Sequence, residues 1–119
     1  MGQRVAIIGS RDWADFEMIR DYVYSLDDDD TVVTGGAHGA DQFAEIYARE
    51  RGLAVIVYRA DWAQHGKKAG LLRNHDIIGD ADRVVAFWDE ASTGTQHGLR
   101  LAAEAGKPAL VFKPGSGAT

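Results

Sequence analysis

The chain of 119 residues has the length of one domain, large enough to bury a core and too short for a second globular unit. Its apolar fraction of 45% and charged fraction of 26% are those of an ordinary globular protein, and runs such as Leu53–Tyr58 are far too short to cross a bilayer. A net charge of −5 is the wrong sign for a protein that grips nucleic acid through its phosphates, so general nucleic-acid binding is disfavoured.

With no cysteine, disulfides and thiolate metal sites are excluded. The amino terminus passes from Met1-Gly2 into a strand-like run with no basic leader, and the expected location is the cytoplasm.

Arg4–Gly9 is almost continuously apolar and β-branched, the pattern of a strand buried on both faces of a parallel sheet. A turn, Gly9-Ser10-Arg11-Asp12-Trp13, follows it, and Arg11 there offers a fixed cation for a phosphate or carboxylate. The next segment has helical period, with Phe16, Ile19, Val23 and Leu26 inward. Asp27–Asp30 reads as a solvated turn, because a calcium loop needs alternating ligands and a glycine.

A second strand, Thr31–Thr34, leads into Gly35-Gly36-Ala37-His38-Gly39-Ala40-Asp41. Three glycines in five residues exceed the need of a strand-to-helix turn. They suggest backbone N–H groups brought close to an anion, with the positive end of the following helix behind them. The pattern is not the dinucleotide fingerprint G-x-G-x-x-G. Asp41 suits either a first-turn carboxylate stabilised by the helix dipole or an acceptor for ribose hydroxyls, and His38 reaches a ligand by its loop position alone. The second helix buries Ala40, Phe43, Ala44, Tyr47 and Ala48 and stops at Gly52.

Leu53–Tyr58 is the third strand, and a helix is expected over about Lys67 to Gly79, with Ala69, Leu72 and Ile78 inward. Arg73 and Asn74 stand one turn after its first glycines, where a second cation can reach the ligand. Arg83–Trp88 is the fourth strand. After it, Asp89-Glu90-Ala91-Ser92-Thr93-Gly94-Thr95 repeats the small-residue turn, with Thr93, Gly94 and Thr95 as further donors or simple caps.

Trp62 and Trp88, after or at strand ends, suit either stacking on a base or plain packing at the sheet edge, and for stacking Trp88 is preferred. The last helix, from Gly94, turns Thr95, Gly98, Leu99, Ala102 and Ala103 inward and ends at Gly106 before the fifth strand, Ala109–Phe112. The histidines at 38, 65, 75 and 97 have no ligand spacing, so no metal site is expected.

Strand and helix alternate throughout, which predicts an α/β fold: a single Rossmann-like three-layer domain over residues 1–112, its five-stranded, mainly parallel sheet flanked by helices. Residues 113–119 are expected to form a flexible tail. In such sheets ligands bind outside the carboxyl ends of the strands, where strand order reverses.

Four motifs in order, V-A-I-I-G-S-R-D at Val5–Asp12, T-G-G-A-H-G-A-D at Thr34–Asp41, A-D-W-A-Q-H-G-K-K-A-G-L-L-R-N at Ala60–Asn74 and D-R-V-V-A-F-W-D-E-A-S-T-G-T at Asp82–Thr95, resemble the YspA-like family of the SLOG superfamily. The resemblance implies a Rossmann-like fold and a nucleotide or nucleotide-derived ligand. A more distant similarity is to the lonely-guy phosphoribohydrolases, whose catalytic glutamate position is Gly98 in this chain. That glycine is better read as letting a helix approach the sheet.

The first expectation is therefore binding of a nucleotide-like small molecule with no further cofactor, by Gly9, Ser10, Arg11, Asp12, Gly35, Gly36, Ala37, His38, Gly39, Asp41, Arg73, Asn74, Trp88, Thr93, Gly94 and Thr95. The second is hydrolysis of an N-glycosidic or phosphate bond with Asp12, Asp41 or Glu90 as acid or base. Single-stranded DNA binding ranks last because of the acidic charge. No membrane partner is expected, and self-association through helices fits the fold without any residue requiring it.

Overall fold

The structure, a computed structural model, describes residues 2–115 and the backbone of residues 117 and 118. Six strands form one sheet in the order β3-β2-β1-β4-β5-β6. They are β1 (Arg4–Gly9), β2 (Thr31–Thr34), β3 (Ala54–Val57), β4 (Arg83–Phe87), β5 (Ala109–Lys113) and β6 (Gly117–Ala118). The first five are parallel, and β6 pairs antiparallel with β5 at one edge. In register, Val5 lies between Val32 of β2 and Arg83 of β4.

Alternation along β1 sets the layers. Val5 and Ile7, with Val32, Val85 and Phe87, pack under Ile19 and Val23 of α1 (Phe16–Tyr24) and Ala40, Ala44 and Ala48 of α2 (Ala40–Arg51). Ala6 and Ile8, with Val33, Val84 and Ala86, pack under Ile77 and Ile78 of α4 (Ala69–Asp80) and Ala102 of α5 (Thr93–Glu104). The first two helices thus cover one face and the last two the other, which makes the chain an α/β domain of three layers. Gly98 lets α5 come close, since a methyl group there would lie 2.8 Å from Cδ1 of Ile8.

The third helical segment differs from its sequence reading. The Asp61 carboxylate caps the amide of Gln64 and starts a short helix, α3 (Trp62–His65), earlier than expected. Gly66, at φ 56°, ends it, and a 3₁₀ turn over Gly66–Lys68 leads into α4. The stripe that α4 buries is Ala69, Asn74, Ile77 and Ile78, which leaves Leu72 facing solvent rather than the core.

Phe16 and Ala103 are likewise exposed, Phe16 because it begins α1 and stacks on Phe43 outside the sheet layer. β5 continues to Lys113, and the tail expected over 113–119 falls partly on residues 116 and 119, outside the described residues. Among the described residues no helix is long and apolar enough to cross a membrane.

Candidate functional site

Because β1, β2 and β4 are parallel neighbours, the loops that leave them emerge on one side of the sheet. The connections run to opposite faces on either side of β1, so strand order reverses there, and a cleft of about 590 Å³ opens above it. From the first loop Gly9 and Arg11 line this cleft; from the second, Gly35, Gly36, Ala37, His38 and Asp41. α4 contributes Arg73 and Asn74, and the start of α5 contributes Thr93, Gly94 and Thr95. The two small-residue loops therefore do face one cleft.

Four of the residues marked in the sequence stand apart from it. Ser10 is fully buried as a strut: its amide donates to the Phe87 carbonyl and its Oγ accepts from the amide of Asp89. Gly39 is the N-cap of α2, and a side chain there would run into the carbonyls of Ser10 and Arg11. Asp12 is exposed beside the cleft without lining it. The Trp88 indole donates to the Ser92 carbonyl at 3.0 Å, while Trp62, the alternative tryptophan, lines the cleft with 54% of its surface exposed.

Two further cations line the cleft: Arg59, which the sequence reading passed over, and Lys67, whose basic helix flank reads from sequence as solvated. Arg59 stands just past the carboxyl end of β3, so the rule that sites gather at strand ends could have flagged it.

The glycine-rich loop is not built as an open cup. Asp41, in the first turn of α2, is buried, and its Oδ2 accepts from the Gly35 amide at 3.2 Å. Burial pushes its carboxyl up to about 6, against the Arg73 guanidinium and the amides of Gly35, Ala37 and Gly9, which favour the anion. Two amides of this loop, those of Gly35 and Ala37, are thus turned to the protein's own carboxylate rather than to the cleft. On the other side the Thr95 amide is capped by Oγ of Ser92, so this turn is an ordinary helix N-cap.

What the paired glycines do instead is make room for guanidinium groups. A methyl group on Gly35 would sit 2.8 Å from Cδ of Arg73, and one on Gly36, at φ 69°, would collide with the Arg59 guanidinium. Arg73 is held in place by its Nη1, which donates to the Gly35 carbonyl at 3.2 Å, and its Nε is buried without a partner. Arg59 is steadied by Glu45 at 3.5 Å and is otherwise largely exposed. Trp62 lies over Gly70, where a methyl group would meet its ring at 3.3 Å.

The lining residues therefore include Arg11, Arg59, Lys67 and Arg73 against one carboxylate, the buried Asp41. The cleft is cationic although the chain as a whole is acidic. The other carboxylates considered for hydrolysis do not join Asp41, since Asp12 lies outside the cleft and Glu90 pairs with Lys113 at 2.8 Å.

Residues 3–65 match the model of the YspA, cpYpsA-related SLOG family. The gene 61 protein of Mycobacterium phage D29 is 41% identical over 120 residues, covering 92% of this chain and 96% of the phage protein. Among solved structures, DNA processing protein A (DprA) from Streptococcus pneumoniae superposes with a TM-score of 0.83 at 21% identity, over 97% of this chain and 51% of that one. DNA processing protein A from Helicobacter pylori, described for its single-stranded DNA binding mode, superposes with a TM-score of 0.70 at 23% identity, over 92% and 64%.

The chain spans about half of the first of these proteins and under two thirds of the second, and at these identities the likeness is one of fold. The ranking made from sequence is corrected on two grounds. The fold neighbours are DNA processing proteins, one of them described for its single-stranded DNA binding mode. Of the loop amides on which that small-molecule expectation rested, those of Gly35 and Ala37 are turned to Asp41 and that of Thr95 to Ser92. Nor does the argument from net charge against nucleic acid hold, because it averaged over a surface whose cleft has the opposite sign.

Proposed function

The chain belongs to the YspA, cpYpsA-related SLOG family, and we propose that its cleft binds a short stretch of single-stranded DNA. The observation that carries this reading is Trp62, a half-exposed indole on the wall of a cleft that also presents Arg11, Arg59, Lys67 and Arg73. Binding of single strands needs those two parts, an aromatic platform on which a base stacks and cations spaced to follow the backbone. An unpaired base reaches the platform readily, whereas a duplex keeps its bases stacked inside. The DNA-processing proteins that share the fold, one of them described as binding single-stranded DNA, support the same reading.

Arg59 and Arg73, which both line the cleft, are placed to take phosphate oxygens by charge-assisted hydrogen bonds. The test is fluorescence anisotropy with a labelled oligo-dT of about 16 nucleotides across a salt series. One phosphate contact for each of the four cations gives a log–log salt slope of about −3, and replacing Arg59 and Arg73 together by alanine makes it shallower by about 1.4. Affinity indifferent to salt and to the double replacement, or a mononucleotide bound as tightly as the oligomer, would overturn the proposal.

A further inference from the structure

Asn74 is a buried amide that lines the cleft, and its orientation is set by two residues of α5. Its Nδ2 donates to the Gly94 carbonyl at 3.2 Å and meets Nδ1 of His97 at 3.1 Å. Turning the amide over would set its oxygen against the Gly94 carbonyl, so the carbonyl fixes which way it points. The His97 nitrogen facing an amide NH₂ must then be an acceptor, which places the histidine proton on Nε2. Burial, with Arg100 and His75 nearby, lowers the histidine's pKa and favours this neutral form. With both amide hydrogens engaged, Oδ1 is the polar atom that Asn74 has left to offer the cleft.

Resting on the reading of the cleft as a single-stranded DNA site, we infer that Asn74 is a specificity-determining residue: its Oδ1 accepts a hydrogen bond from the exocyclic amino group of a base, with Gly94 and His97 acting as positioning residues. With both of its hydrogens committed, the side chain offers the cleft an acceptor only. Cytosine and adenine present a terminal amino group to such an atom. Uracil and thymine offer only a ring N–H flanked by two carbonyl oxygens, which repel it. Asn74 is 7% exposed, and a hydrogen bond made at so buried a position counts for more than one in open water.

The experiment compares oligo-dC, oligo-dU and an oligomer of N4,N4-dimethyl-deoxycytidine on the wild-type protein at neutral pH. Cytosine and uracil stack alike, so the ratio of affinities isolates the edge contact from the phosphates and the indole. Oligo-dC is expected to bind about five-fold more tightly than oligo-dU, the value of one hydrogen bond, and dimethylation to remove the advantage. Asn74→Ala and His97→Phe each bring the ratio close to one while leaving the salt slope unchanged, a result that loss of packing alone would not give.

Equal affinity for all three oligomers in the wild type overturns the inference and leaves the DNA site standing, as does a ratio that survives both substitutions. If none of the three binds, the reading of the cleft falls and this inference with it. Because the three oligomers are compared on the unaltered protein, the result does not depend on either variant folding.

Discussion

Arg73 lies across Gly35 so closely that a methyl group on the glycine would sit 2.8 Å from the arginine Cδ and 2.9 Å from Oδ2 of Asp41. The glycine, the arginine and the carboxylate thus share one small volume, in which the absence of a side chain at residue 35 lets a cation lie over a buried anion. Asp41 organises the loop from below, through the Gly35 amide, while Arg73 covers it from the cleft side through the Gly35 carbonyl. On the cleft side the loop is therefore covered by guanidinium groups, Arg73 over Gly35 and Arg59 against Gly36.

Gly35→Ala therefore acts on both stability and binding. The new methyl group meets the middle of the Arg73 side chain and a buried carboxylate, neither free to move far, and the cost is that of overpacking, about 1–3 kcal/mol. Urea denaturation should show this loss, and oligo-dT affinity should fall as Arg73 is displaced. Gly94→Ala is the control, since nothing lies within 4 Å of a methyl group there and its stability should change by no more than about 0.5 kcal/mol. Equal effects of the two substitutions would show that the contact with Arg73 does not matter.

Trp62 and Trp88 separate binding from stability. Trp62→Ala removes a half-exposed ring and should alter stability by no more than about 0.5 kcal/mol, yet weaken oligo-dT binding by about 1–3 kcal/mol. Trp88→Phe loses the hydrogen bond to the Ser92 carbonyl and should lower the unfolding midpoint while sparing the affinity. The opposite pattern in paired denaturation and anisotropy measurements would move the stacking platform to Trp88.

Asp41 makes stability depend on pH in a defined direction. Its carboxyl is raised from 3.8 to about 6 in the folded chain, so the native state holds the proton more tightly than the unfolded state does. The stabilisation is fully present below pH 3.8 and is lost as pH rises through about 6, a change of about 3 kcal/mol for a two-unit shift. Asp41→Asn keeps an acceptor for one amide and cannot titrate. Its unfolding free energy should lack this fall between about pH 4 and about pH 7. Superimposable pH profiles for the two proteins would place the titration elsewhere.

The architecture was legible in the residues because it depends on local pattern. The apolar run from Val5 to Ile8 can be buried only on both faces of a sheet, and the helical stripe of Ala40, Ala44 and Ala48 can only pack on one. Alternating such segments leaves a doubly wound sheet as the compact solution, and the crevice at its strand ends follows from connectivity. Most residues that line the cleft were therefore found from their places in the loops.

The site's chemistry was decided elsewhere, by contacts between residues far apart in sequence. That Asp41 would occupy the loop amides, that Arg59 and Arg73 would lie on Gly36 and Gly35, and that Trp62 rather than Trp88 would face the cleft are outcomes of packing between separate elements. Sequence determined which segments form strands and helices and where their ends meet, because hydrophobic periodicity and turn chemistry act over a few residues. Only the tertiary structure decided which polar groups remain free at that meeting point, because a donor is available or satisfied according to what the fold brings within about 3 Å of it.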